Sequence, residues 1–254
     1  MSRMVAIASG KGGVGKTFLS ATLAHALVRR GRRCLVFDGD LGLANLDVQL
    51  GIAAAVDLAQ VLHGRIDLAE AVIHHPSTGL DLVVGRSGSG LLAGLPPARV
   101  AALGGRLREL AAAYDLVLLD LAAGIEPPCR ILARAADEVV VVTTDEPTAL
   151  TDAYAFVKVV CDPARPVGVV VNFADDREGG RETYRALARA CRRFLGLEPR
   201  LLGVVRRDPR VADAIRVQMP FLARHPRSVV AEDIERLAAT LLEPAPIPPP
   251  GPSR

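Results

Sequence analysis

Tryptophan is absent from this chain of 254 residues, and aromatic side chains make up only 4% of it. Binding nucleic acid by stacking bases on rings therefore has little to draw on. Lysine is almost as scarce: Lys11, Lys16 and Lys158 stand among 31 basic residues, the rest arginine. The four cysteines, Cys34, Cys129, Cys161 and Cys191, lie far apart with no CxxC pair. That argues against a zinc site or a disulfide framework and suits a reducing cytoplasm. No apolar run approaches the roughly 18 residues of a membrane-spanning helix. The net charge of +3 is too mild to imply a nucleic-acid partner by itself. The chain enters a strand directly, so no signal peptide is expected.

What is present is concentrated in one stretch, Gly10-Lys11-Gly12-Gly13-Val14-Gly15-Lys16-Thr17. It follows the apolar run Met4–Ala8 and leads into an apolar-periodic segment from Phe18 to Val28. Strand, glycine loop and helix in register make a phosphate-binding loop. Its glycines let backbone N–H groups wrap an anion, and the helix N-terminus adds partial positive charge. Lys16 is placed to reach the β and γ phosphates, and the Thr17 hydroxyl to ligate Mg²⁺. Where arginine is so dominant, two lysines in one loop indicate a need for a compact ammonium. Lys16 has its own nucleotide to serve; Lys11 does not.

The remaining pattern alternates strands with helices. Strands are expected at 34–37, 80–84, 116–120, 138–143, 167–171 and 201–205. Helices are expected at 57–62, 67–73, 96–113, 147–160, 181–195, 210–217 and 229–242, the first two capped by Asp57 and Asp67. Gly31 should stop the first helix, and 41–50 should be loop. His63, His74 and His75 should be solvated helix-end residues. Gly85–Gly90 reads as a plain mobile loop. The fold class is α/β: a mostly parallel sheet with helices on both faces, one domain over 1–243 and a proline-rich disordered tail at 244–254. Asp38 and Asp40 fall at the end of one strand, where ligands bind in such sheets. Leu116-Val117-Leu118-Leu119-Asp120 ends in the kind of single acid that holds Mg²⁺ through water.

These residues resemble the MinD/ParA family of phosphate-loop ATPases. Lys11–Thr17 is similar to its deviant Walker A loop, Asp38–Asp47 to its switch I, and Asp120–Ile125 to its Walker B and switch II. Two stretches, 41–48 and 146–154, are most like the flagellar-number regulators of the FlhG (FleN) branch. The resemblance implies ATP and Mg²⁺ as cofactors, slow ATP hydrolysis and a homodimer formed with ATP. It implies catalytic roles for Lys11, which crosses to the partner's nucleotide, for Lys16, and for Asp40, which handles the attacking water. Nucleotide contacts would come from Gly12, Gly13, Val14, Gly15, Lys16, Thr17, Phe18, Asn172 and Arg206, with Asn172 at the adenine. Thr17, Asp38 and Asp120 would serve Mg²⁺. Phe18 replaces a small polar residue, Leu121 a hydroxyl residue beside the Walker B acid, and Arg206 stands where a proline is common.

The expected function is an ATP-dependent switch regulating number or placement of flagella. Its expected partners are a flagellar transcription activator or a signal-recognition-type GTPase. The alternatives are a ParA-like ATPase binding DNA non-specifically, through Arg181, Arg185, Arg189, Arg192 and Arg193, and a MinD-like division-site regulator. No amphipathic C-terminal helix for membrane binding is seen. The expected location is the cytoplasm, with a peripheral position at the inner membrane or cell pole as the variant.

Overall fold

The computed structural model describes residues 2–40, 46–52, 56, 58–85, 94–162 and 165–244. Eight strands form one sheet in the order β3-β4-β2-β5-β1-β6-β7-β8. They are β1 (Arg3–Ala8), β2 (Cys34–Gly39), β3 (Ile73–His75), β4 (Leu80–Val83), β5 (Leu116–Leu121), β6 (Glu138–Thr143), β7 (Val167–Ala174) and β8 (Arg200–Arg206). Only β3 runs antiparallel. The central strands are mostly apolar, because both sheet faces are covered. Alternation along β1 shows this: Met4, Ala6 and Ala8 enter one core, Val5 and Ile7 the other.

One face carries α4 (Pro97–Ala111), α5 (Pro127–Ala135), α6 (Pro147–Val160) and α7 (Arg177–Leu195). The other carries α1 (Lys16–Arg29), α8 (Arg210–Arg216), α9 (Phe221–Arg224) and α10 (Val229–Leu242). Short helices α2 (Leu46–Leu50) and α3 (Leu58–Leu62) follow β2. β1 lies between β5 and β6, so the chain turns from one half of the sheet to the other beside it. A ligand site is expected beyond the carboxyl ends of strands at such a reversal. In-register pairing does the rest. Asp38 on β2 stands opposite Asp120 on β5, and Asp120 opposite Ile7 on β1, one residue short of the strand's end.

The reading of β6, α6 and α10 holds to the residue, and Gly31 does stop α1 with φ 77°. Several short elements differ from expectation. Residues 67–73 are not a helix: a single 3-10 turn at Ala69–Ala71 leads into β3. Asp67 caps nothing with its side chain there; its own N–H is taken by Glu70. The histidines after it are therefore strand residues. His74 pairs with Asp81, while His75 is buried between Thr78 and the Leu50 carbonyl. The second half of the 41–50 loop is helix α2. α5 and α9 were not expected. α7 starts four residues early, because Asp176 accepts the Gly179 N–H and caps it. Residues 41–45, the Asp57 cap, most of the 85–90 loop and the tail from 245 lie outside the described residues.

Phe156 of α6 is fully buried in the core on its side of the sheet. Phe156→Ala should lower the unfolding free energy by about 3–5 kcal/mol, read as a fall in the urea midpoint with unchanged slope.

Candidate functional site

The glycine loop starts where β1 ends. Gly10 must be glycine because α6 crosses it: an added Cβ would lie 2.1 Å from the Asp152 carbonyl oxygen. At the far end Gly15 takes φ 86°, ψ 24° and forms the N-cap of α1 without any side-chain cap. No acidic residue occupies the first turn of α1. The helix therefore presents open N–H groups and its positive end to the loop, the arrangement an anion needs.

Lys16 points back inside this loop. Its Nζ donates to Ser9 Oγ at 2.9 Å, and the same hydroxyl donates to the Lys11 carbonyl at 2.7 Å. Burial lowers the pKa of the ammonium, and Asp120 and Asp40 work against that. Beside it the two registered carboxylates are almost completely buried. Asp38 accepts the N–H groups of Asp40, at 3.1 Å, and Leu46, at 3.4 Å. Burial, and then the nearby Asp120, push its carboxyl up to about 8. Asp120 accepts a hydrogen bond from Ser20 Oγ onto Oδ1 at 3.1 Å, and Thr17, Lys16 and Ser20 all draw its carboxyl down. Burial raises it to about 6. Its other oxygen, Oδ2, is buried and has no partner.

That orphaned oxygen is the test of whether Mg²⁺ fits. A buried carboxylate oxygen without a donor is costly, and a cation or its water would satisfy it. The surrounding donors are hard oxygens: the Thr17 hydroxyl and the carboxylates of Asp38 and Asp120. Among the described residues no three acidic, histidine or cysteine side chains converge enough to hold a metal by themselves. Mg²⁺ does not need them to, since it binds through one or two carboxylates plus waters and phosphates. The residues fit the ion as part of a nucleotide complex.

Other expected residues are placed differently. Asn172, buried in β7, gives its Nδ2–H to the Val14 carbonyl at 2.8 Å; it joins the site by holding the loop. Phe18 does not face the loop: its ring is buried and meets Phe221 edge-on at 5.3 Å. A large residue is tolerated there because α9 supplies an aromatic partner. Arg206 is turned away from the site as well. Its guanidinium and N–H both bind the buried Asp233 of α10, beside Arg177. An arginine beside a buried carboxylate is held there by the cost of leaving that charge unpaired. Ser9 and Ser20 are site residues that the sequence reading missed. Ser20 was findable, because it lies one turn past Thr17 on the same helix face.

Lys11 stands apart from Lys16. Its Nζ lies 2.5 Å from Glu146 Oε2 and 2.9 Å from Thr148 Oγ1. Both acceptors belong to the loop and first turn that open α6. The hydrogen bond from Lys11 holds Glu146 below the usual carboxylate range. Both side chains are well exposed, so water competes for the pair and it is easily exchanged.

A cleft of about 830 Å³ between α1 and α10 and a groove of about 460 Å³ between α6 and α7 lie elsewhere, and neither is lined by a glycine-loop residue.

Comparison with known proteins agrees with the geometry. The family model of the CobQ/CobB/MinD/ParA nucleotide binding domain matches residues 5–221. The chain is 37% identical to the antiactivator FleN of Pseudomonas aeruginosa over 89% of this chain and 81% of that protein. It is 31% identical to the flagellum site-determining protein YlxH of Helicobacter pylori, over 95% of this chain and 82% of that one. The solved structure of the septum site-determining protein MinD with Mg-ADP from Pyrococcus horikoshii superimposes with a TM-score of 0.81 at 25% identity, covering 96% and 97% of the two chains.

The raised carboxyls carry a stability consequence. Asp38 titrates near 3.8 when unfolded and near 8 when folded. Its contribution is thus fully present below pH 3.8 and is lost as pH rises through about 8. Asp38→Asn should therefore raise the Tm of the nucleotide-free chain, by about 2–4 °C per kcal/mol relieved. Calorimetry should show a larger gain at pH 8 than at pH 5; equal gains would contradict the assignment.

Proposed function

The chain belongs to the CobQ/CobB/MinD/ParA nucleotide-binding family and is an ATPase of its MinD/ParA type; from that premise we propose that it is an ATP-dependent dimerisation switch that sets the number or placement of flagella. One observation carries the dimer: the two loop lysines have separate employment. Lys16 sits inside its own loop on Ser9, whereas Lys11 is held at the surface on Glu146 and Thr148. An exposed ammonium tied by an exchangeable pair is available to a second molecule's nucleotide.

Each residue then has a task. The loop N–H groups and Lys16 bind the phosphates of their own chain's nucleotide. Thr17, Asp38 and Asp120 would hold Mg²⁺, which would offset phosphate charge. Asp40 orients the attacking water. Lys11 leaves Glu146 and brings positive charge to the partner's γ-phosphate, where negative charge develops. Closing two such loops face to face excludes water. Hydrolysis removes the phosphate that Lys11 holds, and the pair separates.

The flagellar assignment rests on the likeness to FleN and YlxH and on the 41–48 and 146–154 stretches. The partner would be a flagellar transcription activator or a signal-recognition-type GTPase. The basic face of α7 favours a DNA-binding reading less than its sequence does. Arg181 and Arg185 both pair with Glu178, and Arg192 with Glu198. Two carboxylates thus offset two of the five arginine charges within the helix or the turn after it. Among the described residues no helix is long and apolar enough to cross a membrane.

Light scattering with ATP and Mg²⁺ tests the switch. Asp40→Ala should be trapped as a dimer, and Lys11→Ala should stay monomeric while still binding ADP. Monomers throughout would overturn the switch. A deletion strain with unchanged flagellar number and placement would overturn the flagellar role alone.

A further inference from the structure

β7 and β8 are not in simple register at their ends. Val171 pairs with Val204 and Ala174 with Arg206, so three steps on β7 match two on β8. The extra residue makes a β-bulge, and Phe173 carries its cost with φ 57° in the left-handed region. A bulky residue keeps such a backbone only when its surroundings require it, and such residues cluster at functional sites.

The bulge changes where side chains go. In a regular strand Asn172 and Phe173 would point to opposite faces. Here both reach the last turn of the glycine loop. Asn172 donates to the Val14 carbonyl at 2.8 Å. A Cβ on Gly15 would lie 2.4 Å from Asn172 Nδ2 and 2.9 Å from Phe173 Cζ. The Arg207 guanidinium lies over the ring, its carbon 5.7 Å from the centroid. The Arg207 N–H closes the bulge on the Ala174 carbonyl at 2.8 Å.

We propose that Phe173 is a positioning residue for nucleotide binding: its left-handed bulge turns Asn172 and its own ring onto Gly15, and the two side chains hold the glycine loop in its phosphate-binding curve before any ligand arrives. The proposal rests on the nucleotide reading for its purpose, but the clamp is a property of the free chain. Without it the loop must be ordered by the nucleotide at the nucleotide's expense.

The test is amide hydrogen exchange over residues 10–17 of the nucleotide-free protein, with binding of ADP and of inorganic tripolyphosphate by calorimetry. Phe173→Ala should speed exchange in the loop and weaken both ligands by roughly tenfold. Phe173→Gly, which keeps the left-handed backbone without strain and removes only the ring, should do the same, which separates the ring from the fold of the bulge. Phe173→Tyr should restore slow exchange. Unchanged exchange in the Ala and Gly variants would overturn the clamp. So would loss of ADP affinity with tripolyphosphate unaffected, which would make the ring a contact for the base. A wild-type chain that binds neither ligand would sink the nucleotide reading, and the exchange result would still decide the clamp.

Discussion

Everything in this site depends on a buried charge balance around Lys16. An ammonium out of water is tolerable only beside opposite charge and acceptors. Asp120 and Asp40 supply the charge, with Asp38 facing Asp120 across β2 and β5, and Ser9, just past β1, accepts a hydrogen bond from Lys16. The balance is incomplete. Both carboxyls are pushed up by burial, and Asp120 keeps one oxygen without a donor. A protein does not retain that much unrelieved electrostatic cost in its most regular strands for stability. That cost suits the proposed ligand, a nucleotide that brings negative charge together with a divalent cation.

This explains the division between the two lysines. Lys16 is buried, desolvated and fixed on Ser9, which suits its proposed role toward its own chain's nucleotide. Lys11 is solvated, on an ion pair that water screens, so it can change partners at low cost. Its resting place also has consequences. Glu146 and Thr148 open α6, which crosses the loop closely enough that Gly10 has no room for a side chain. The stretch at 146–154 therefore touches the glycine loop directly, at Gly10 by packing and at Lys11 by hydrogen bonds.

The sequence made the long elements legible, and the physical reason differs by element. β6 is six residues bounded by polar groups, and α6 and α10 begin at a proline or a capping serine, so their limits are chemical. The 67–75 segment failed because one 3-10 turn and a three-residue strand contain too few residues to show a period. Site residues whose place follows from backbone position, such as Lys16, Asp38 and Asp120, were readable from their position after a strand. Phe18 and Arg206 were not, since their side chains follow Phe221 and Asp233, partners more than two dozen residues away. Ser20 was within reach of helix periodicity alone. The bulge at Phe173 was not, because it exists only in the pairing of β7 with β8.

The bulge and the charge balance are two halves of one design. The carboxylates and Lys16 fix where charge must sit, but they act on the inner side of the loop and do not determine the loop's own curve. Glycines leave that curve free at the cost of entropy. Asn172 and Phe173 remove that freedom from outside, at Val14 and Gly15, one residue before Lys16. Of the two, Asn172 spends a buried amide hydrogen bond and Phe173 a left-handed backbone. A loop held on one side by a strained strand and on the other by under-satisfied carboxylates stores its cost in the free chain. In the proposed reading a nucleotide with its cation would relieve the electrostatic part, and the energy difference that a nucleotide-sensing switch needs would already be in place.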